Sequence, residues 1–283
     1  MIAPPGYSAC CLERHLQDVL AFRQRLDRIR TLVDEPSNLS VLQGLQLYAL
    51  CLAFRPDLII ELGRGYGNST CVFAAALQKL GAGRVVSFDL DTLWDERTLP
   101  KLMASELSKL TRSVEARIED IKLADFGSLV GRAGQVLVFW DAHGWEAADG
   151  VLCRLLPTIA SRPHIVACHD FSDARYVEID RAYHGRFFWR DPKLKEISAR
   201  YTIGWVNTQE PQFIPLLDFL WRNRCELRSA DEDLAIWRRD HAAPQREVER
   251  AIGADVFAPG CHWGYFSLND AQASELTFPA MMR

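Results

Sequence analysis

The chain has 283 residues, which suits one large domain or a core with appendages. Its 48 % hydrophobic and 25 % charged residues are ordinary for a globular protein, and a net charge of −4 argues against a dedicated nucleic-acid binder. Eight cysteines (10, 11, 51, 71, 153, 168, 225 and 261) form no C-x-x-C pair and no zinc-ligand spacing. Several lie in apolar runs, where free cysteine packs as a small hydrophobe. No apolar run approaches the ~20 residues a membrane helix needs, and the N-terminus has prolines in place of a cationic-then-apolar leader. The expectation is a cytoplasmic protein with reduced thiols and no membrane contact.

In chain order, apolar residues at Leu12, Leu16, Val19, Leu26, Ile29 and Val33 recur near the helical period, predicting helix over 8–33. Arg23, Arg25, Arg28 and Arg30 lie among them and read as a solvated face. Pro36 breaks the helix, Ser40 can cap a second one running to Phe54, and Arg55-Pro56-Asp57 stops it. Then comes the most informative stretch, Leu58-Ile59-Ile60-Glu61-Leu62-Gly63-Arg64-Gly65-Tyr66-Gly67-Asn68-Ser69-Thr70. An apolar run ends in an acid, glycines follow at every second position, and a helix-like run leads from Ser69 to Leu80. This reads as strand, tight turn and helix, with free N–H groups of the helix start facing whatever lies over the turn. Glycines are needed where the chain turns sharply and where a ligand approaches the backbone. Dinucleotide loops space their glycines G-x-G-x-x-G to take a pyrophosphate. Here the spacing is even, and a carboxylate at Glu61 would repel phosphate while accepting hydrogen bonds from an ammonium group or hydroxyls.

The next apolar run, Arg84 to Asp91, is a strand ending in acids. An acid about 20 residues past the glycine loop is where ribose hydroxyls are gripped. Asp89 fits that place, and Asp91 reads as the cap of the following turn. Ser113–Ile118 alternates as a third strand and is followed by Glu119-Asp120. Val136 to Trp140 is apolar throughout, as a strand buried on both faces should be, and delivers Asp141-Ala142-His143-Gly144. Glu146 to Ile159 reads as helix. Pro163 to Cys168 is the second such run and delivers His169-Asp170. Two apolar strands each ending in His and Asp place four polar side chains at one rim, where ligands of open α/β sheets collect.

The back half carries helical patterns over 173–183, 193–201 and 213–222, and two short runs, 224–228 and 233–238, that read as a closing hairpin. Phe187, Phe188, Trp189, Trp205, Trp221 and Trp263 are numerous enough to line a pocket for a flat acceptor, although such residues are more often core.

The E-x-G-x-G-x-G pattern at 61–67 resembles motif I of the class I S-adenosylmethionine-dependent methyltransferases. Gly44-Leu45-Gln46-Leu47-Tyr48-Ala49-Leu50 feeding into it is similar to small-molecule O-methyltransferases, and the two strand ends resemble the cephalosporin-hydroxylase-like and macrocin O-methyltransferase-like branch. The likeness spans roughly 41–173; Arg64 in the loop, Trp140 and Ala142 beside Asp141, and Ser161-Arg162-Pro163 depart from the pattern. It implies an α/β fold with a Rossmann-like, mostly parallel sheet closed by an antiparallel hairpin at 56–240, an N-terminal helical cap at 1–55 and a C-terminal extension at 241–283. It implies S-adenosylmethionine bound by Glu61, Gly63, Gly65, Gly67, Ser69, Asp89 and Asp120, and a small-molecule acceptor methylated on oxygen. Asp141, His169 and Asp170 would hold Mg²⁺ or another divalent metal. His143 is the leading base and Asp141 the other catalytic residue. Imidazole suits Mn²⁺, Fe²⁺ or Zn²⁺ better than Mg²⁺. A metal-independent methyltransferase with a histidine base, a non-catalytic S-adenosylmethionine-binding scaffold and a nucleotide-binding enzyme stay open beside it, as does a homo-oligomer.

Overall fold

The computed structural model describes residues 7–35, 39–173, 212–257 and 261–280. The N-terminal segment is two helices rather than one, α1 (Tyr7–Arg14) and α2 (Leu16–Val33), with His15 between them. Ser40 caps α3 (Val41–Phe54) through a capping box: its hydroxyl accepts from Gln43 N–H while the Gln43 side chain accepts from Ser40 N–H. Then follow β1 (Leu58–Leu62), α4 (Asn68–Leu80), β2 (Arg84–Asp89), a wide helical turn at Trp94–Thr98 running into α5 (Leu99–Met103), and β3 (Val114–Ile118). The next elements are α6 (Phe126–Val130), β4 (Val136–Trp140), and a helical stretch made of α7 (Trp145–Gly150), one wide turn and α8 (Leu156–Ile159). Strand β5 (His164–Asp173) is followed by α9 (Phe213–Arg222), the two-residue β6 (Arg228–Ser229), α10 (Ala230–Asp240), α11 (Ala242–Ile252) and β7 (Cys261–Phe266).

The strands form one sheet in the order β3-β2-β1-β4-β5-β7-β6. The first five are parallel, and β7 runs antiparallel to both neighbours. Every residue of β1 and β4 is buried, which is why both read as unbroken apolar runs. Order reverses between β1 and β4, so the ends of β1, β2, β4 and β5 open a crevice on one side of the sheet. Helices α1–α4, α10 and α11 contribute core on one face; α6, α7, α8 and α9 contribute it on the other.

Packing rather than charge holds the helical cap to the sheet. Helix α2 buries Val19, Phe22, Leu26, Ile29 and Val33, each worth roughly 1.5–3 kcal/mol. Its exposed ion pair to α4, Lys79–Asp18 at 2.7 Å, is worth about 0–1 kcal/mol.

The closing hairpin differs from the expected one. Residues 233–238 lie in helix α10, and the strand that pairs with β6 is β7, from the stretch expected to be an extension. The run Asp233-Leu234-Ala235-Ile236-Trp237 serves a helix because Leu234 and Trp237 are three apart and fall on one buried face. Trp263 is core as well: it is buried, and its indole N–H donates to Gln46 Oε1 at 2.9 Å. Of the helices expected at 173–183 and 193–201, only Asp173 is among the described residues, and it ends strand β5; the rest of both, with Pro36, Phe187, Phe188, Trp189 and Trp205, lie outside the described residues.

Candidate active site

The loop after β1 is built by two glycines under different constraints. Gly63 has φ +89°, and a Cβ on it would stand 2.8 Å from the Asp141 backbone, so only glycine lets β1 and β4 end side by side. Gly65 has φ +49°, but a Cβ there would meet no protein atom within 4 Å. Its open side faces a cavity of about 430 Å³. Gly67 lies under the Trp94 ring.

Two carboxylates hold the loop in place. Asp89 Oδ2 accepts from Arg64 N–H (2.8 Å) and Gly65 N–H (2.7 Å), and Oδ1 accepts from Leu90 N–H (2.7 Å) and Asp91 N–H (3.2 Å). Four donors meet about four lone-pair sites, so Asp89 clamps the loop while lining the cavity. Asp91 caps its turn through Leu93 N–H at 3.0 Å. Glu61 is fully buried and absent from the cavity wall. Its oxygens accept from Ser69 Oγ (2.6 Å), Thr70 Oγ1 (2.5 Å) and Ser87 Oγ, tying the start of α4 to β1 and β2. Ser69 thus braces Glu61 while also lining the cavity. Asp120 lies on the wall with Glu119 and Ile121; its Oδ1 accepts from Lys122 N–H at 2.9 Å.

Burial pushes the Glu61 carboxyl up to about 7, although the three hydroxyls and the Arg64 charge pull it back. Because the folded-state value is raised, its contribution to stability is complete below about pH 4.5 and is lost as pH rises through 7, by up to about 3 kcal/mol. Urea unfolding at pH 5 and pH 8 should therefore show Glu61→Gln gaining on the parent chain by roughly 1–3 kcal/mol over that interval. A difference that does not change with pH would contradict this burial account.

The opposite wall is the rim of β4 and β5. Asp141 N–H donates to Leu62 O at 2.8 Å, and the Trp140 indole N–H donates to Ala142 O at 2.9 Å, so the unusual neighbours of Asp141 stiffen its loop. On β5, successive residues of a plain strand would point to opposite faces. Pairing with β7 shifts register between Cys168 and Ser172, and Asp170 adopts φ +52°, a left-handed conformation that aspartate tolerates at modest cost. The bulge turns both His169 and Asp170 toward Asp141. His169 Nδ1 lies 3.0 Å from Asp141 Oδ1 and 3.3 Å from Asp170 Oδ1. Burial alone would lower the imidazole pKa, but the Asp141 carboxylate, with Asp170, raises it to about 10. His169 is thus an imidazolium shared by two carboxylates, and its buried Nε2 has no partner among the described residues. One ligand atom from each of the three lies within 4.8 Å of the others.

All expected site residues but Glu61 line this one cavity: Gly63, Gly65, Gly67, Ser69, Asp89, Asp120, Asp141, His143, His169 and Asp170. Three groups escaped sequence reasoning. Thr70 and Ser87 complete the ring of hydroxyls around Glu61; Ser87 alternates with the apolar Val86 and Phe88, the one signal available. Arg64 is buried, with Nη1 donating to Ser87 O at 2.7 Å, and its Nε and Nη2 have no hydrogen-bond partner among the described residues. Gln212 contacts His143 and Gly144 from the start of α9, far along the chain, where no pattern marks it.

Residues 60–171 match the model of a family described as "Methyltransferase domain". No curated protein matches the chain. Several solved structures resemble it. One is the O-methyltransferase TomG from Streptomyces achromogenes, involved in tomaymycin synthesis and in complex with S-adenosylmethionine (14 % identity, 87 % of this chain and 88 % of that one, TM-score 0.46). Others are an O-methyltransferase from Bacillus cereus in complex with S-adenosylhomocysteine (15 %, 90 % and 96 %, 0.45) and the methyltransferase PaMTH1 from Podospora anserina with the same product bound (17 %, 75 % and 82 %, 0.45). These likenesses are too distant to carry residue roles across. The matched stretch runs from β1 into β5 and so takes in the five parallel strands with the glycine loop and the rim. Among the described residues no helix is long and apolar enough to cross a membrane.

Proposed function

We propose that the chain transfers the methyl group of S-adenosylmethionine to an oxygen of a small molecule, with the acceptor held at the rim of Asp141, His143, His169 and Asp170. The observation that supports this reading best is that the glycine loop and the two-carboxylate rim belong to a single cavity, so donor and acceptor can meet in it. Gly63, Gly65, Gly67 and Ser69 frame the cofactor, Asp89 and Asp120 face its ribose and adenine, and Glu61 keeps the loop and helix α4 in register from beneath. Methyl transfer is an in-line displacement at an already activated sulfonium, so alignment of the nucleophile and removal of its proton are what the protein must supply. The rim carboxylates are the acceptors for that proton, with Asp141 the more exposed of the two.

A divalent metal fits the donor set. Two carboxylates and an imidazole converge within 4.8 Å, and an ion bound among them would take the place of the proton that otherwise keeps His169 cationic. When bound, such an ion would polarise the acceptor oxygen and lower the pKa of its hydroxyl. The mixed donor set favours Mn²⁺, Fe²⁺ or Zn²⁺ over Mg²⁺. The metal-free alternative has its own support: protonated His169 already supplies the positive charge the two carboxylates need. Six described cysteines are free of disulfides, which fits a cytoplasmic setting.

Formation of S-adenosylhomocysteine, measured over a panel of catechols, phenols and hydroxylated sugars with chelator-treated protein, tests the reading. Turnover with at least one acceptor class is expected, rising at least tenfold on adding Mn²⁺ if the metal reading holds. Turnover that ignores both chelator and metal selects the metal-free form. No product from any acceptor, despite tight cofactor binding, would sink catalysis and leave the scaffold.

A further inference from the structure

Gln212, buried at the start of α9, makes two contacts to the loop after β4. Gly144 N–H donates to its Oε1 at 3.0 Å, and its Nε2 lies 3.3 Å from His143 Nδ1. A backbone N–H can only donate, so the amide oxygen must face Gly144 and the amide NH₂ must face His143. An NH₂ group can only donate in its turn, which makes His143 Nδ1 an acceptor. A neutral imidazole carries one proton, so that of His143 sits on Nε2.

This bears on what His143 does in the cavity it lines. To take a proton through Nε2 the ring would have to move its own proton to Nδ1, setting one N–H against the Gln212 amide. We infer that Gln212 is a positioning residue that holds His143 as an Nε2–H donor. His143 then recognises an oxygen of the acceptor that carries a lone pair and no proton to give, such as a carbonyl, a carboxylate or an ionised phenol. Proton removal falls to the carboxylate rim. The acceptor class narrows to a hydroxyl with a second, unprotonated oxygen close to it. This inference rests on the methyltransferase reading for its chemistry, but the tautomer does not.

Long-range ¹H–¹⁵N spectra of the imidazoles at about pH 8.5, where an ordinary histidine is neutral, read the tautomer directly. His143 is assigned by the resonance lost in His143→Gln. The expected result is a protonated Nε2 and a bare Nδ1 in the parent chain, shifting toward a mixture in Gln212→Leu. A protonated Nδ1 in the parent, or no difference between the two proteins, overturns the inference whether or not the protein methylates anything. Kinetics supply a second arm with any acceptor found active. Glutamine carries an N–H donor close to the place of Nε2 but cannot serve as a base. His143→Gln should therefore stay within about tenfold of the parent in kcat/KM while His143→Ala falls about a hundredfold. Gln212→Leu should raise KM for the acceptor and leave that for S-adenosylmethionine unchanged. Equal loss in His143→Gln and His143→Ala, with the acidic limb of the pH profile gone in both, would make His143 a base and contradict the assignment.

Discussion

Asp141→Asn is expected to lower kcat by about 10²–10³-fold while S-adenosylmethionine binds within about threefold of the parent. The reasons lie in how Asp141 is held. Its backbone is fixed by the hydrogen bond to Leu62 and abuts Gly63, so the substitution leaves the loop in place and changes only the headgroup. That headgroup serves the rim: its carboxylate is the nearer partner of His169 Nδ1, at 3.0 Å against 3.3 Å for Asp170. Asparagine keeps the volume and loses the charge. The largest influence raising the His169 pKa then disappears, and burial drives the ring toward its neutral form. The rim loses a proton acceptor and its charge balance in one step. Parallel measurement of turnover and of cofactor affinity checks this. A variant that retains turnover with the same acceptor would remove Asp141 from the chemistry, whatever its effect on stability.

The second large effect concerns the cofactor. Gly65→Val should abolish measurable S-adenosylmethionine binding, a loss of at least 10²-fold, while shifting unfolding only modestly. The protein offers a Cβ at this position open space, so the cost to the empty fold is the strain of φ +49° for a branched residue, about 1–3 kcal/mol. In the bound state the same side chain would stand in the cavity where the donor must approach the backbone. Gly63→Ala provides the contrast. Its Cβ would press on the Asp141 backbone at 2.8 Å, so it should unfold the protein more readily and disturb donor and acceptor sites together. Equal stability losses with equal retained binding in the two variants would contradict the division of labour drawn between these glycines.

Much of the parallel half of the molecule was legible because its signals are local. Ile59-Ile60 and Val138-Phe139 are apolar on both faces, which only a central strand requires, and the glycine spacing announces the turn between β1 and α4. The rim was legible because two strand ends each carried His and Asp, and parallel neighbours put their ends together. What the sequence withheld depends on packing at long range. Residues 233–238 fit strand or helix by composition, and contact with the cap decided for helix. Glu61 looked like a cofactor ligand because a carboxylate at a strand end usually faces out. Ser69, Thr70 and Ser87 turn it inward, and no spacing in the chain tells one orientation from the other. Asp89 lies where a ribose-gripping acid should, but its role as clamp of the loop amides emerges only once the loop is folded over it. Gln212 is separated from His143 by 69 positions and bears no motif at all.

The central claim is that one cavity takes S-adenosylmethionine on the glycine loop and presents it to a rim of Asp141, His169 and Asp170. Calorimetric titration of S-adenosylmethionine and S-adenosylhomocysteine into chelator-treated protein, repeated with Mn²⁺ and with Asp170→Ala, tests it most directly. The account predicts micromolar binding of both molecules, a separate metal heat in the parent chain, and loss of that heat in Asp170→Ala with cofactor affinity retained. Absence of binding by either molecule would contradict the account at its root, and a metal heat that survives in Asp170→Ala would remove the ion from this rim.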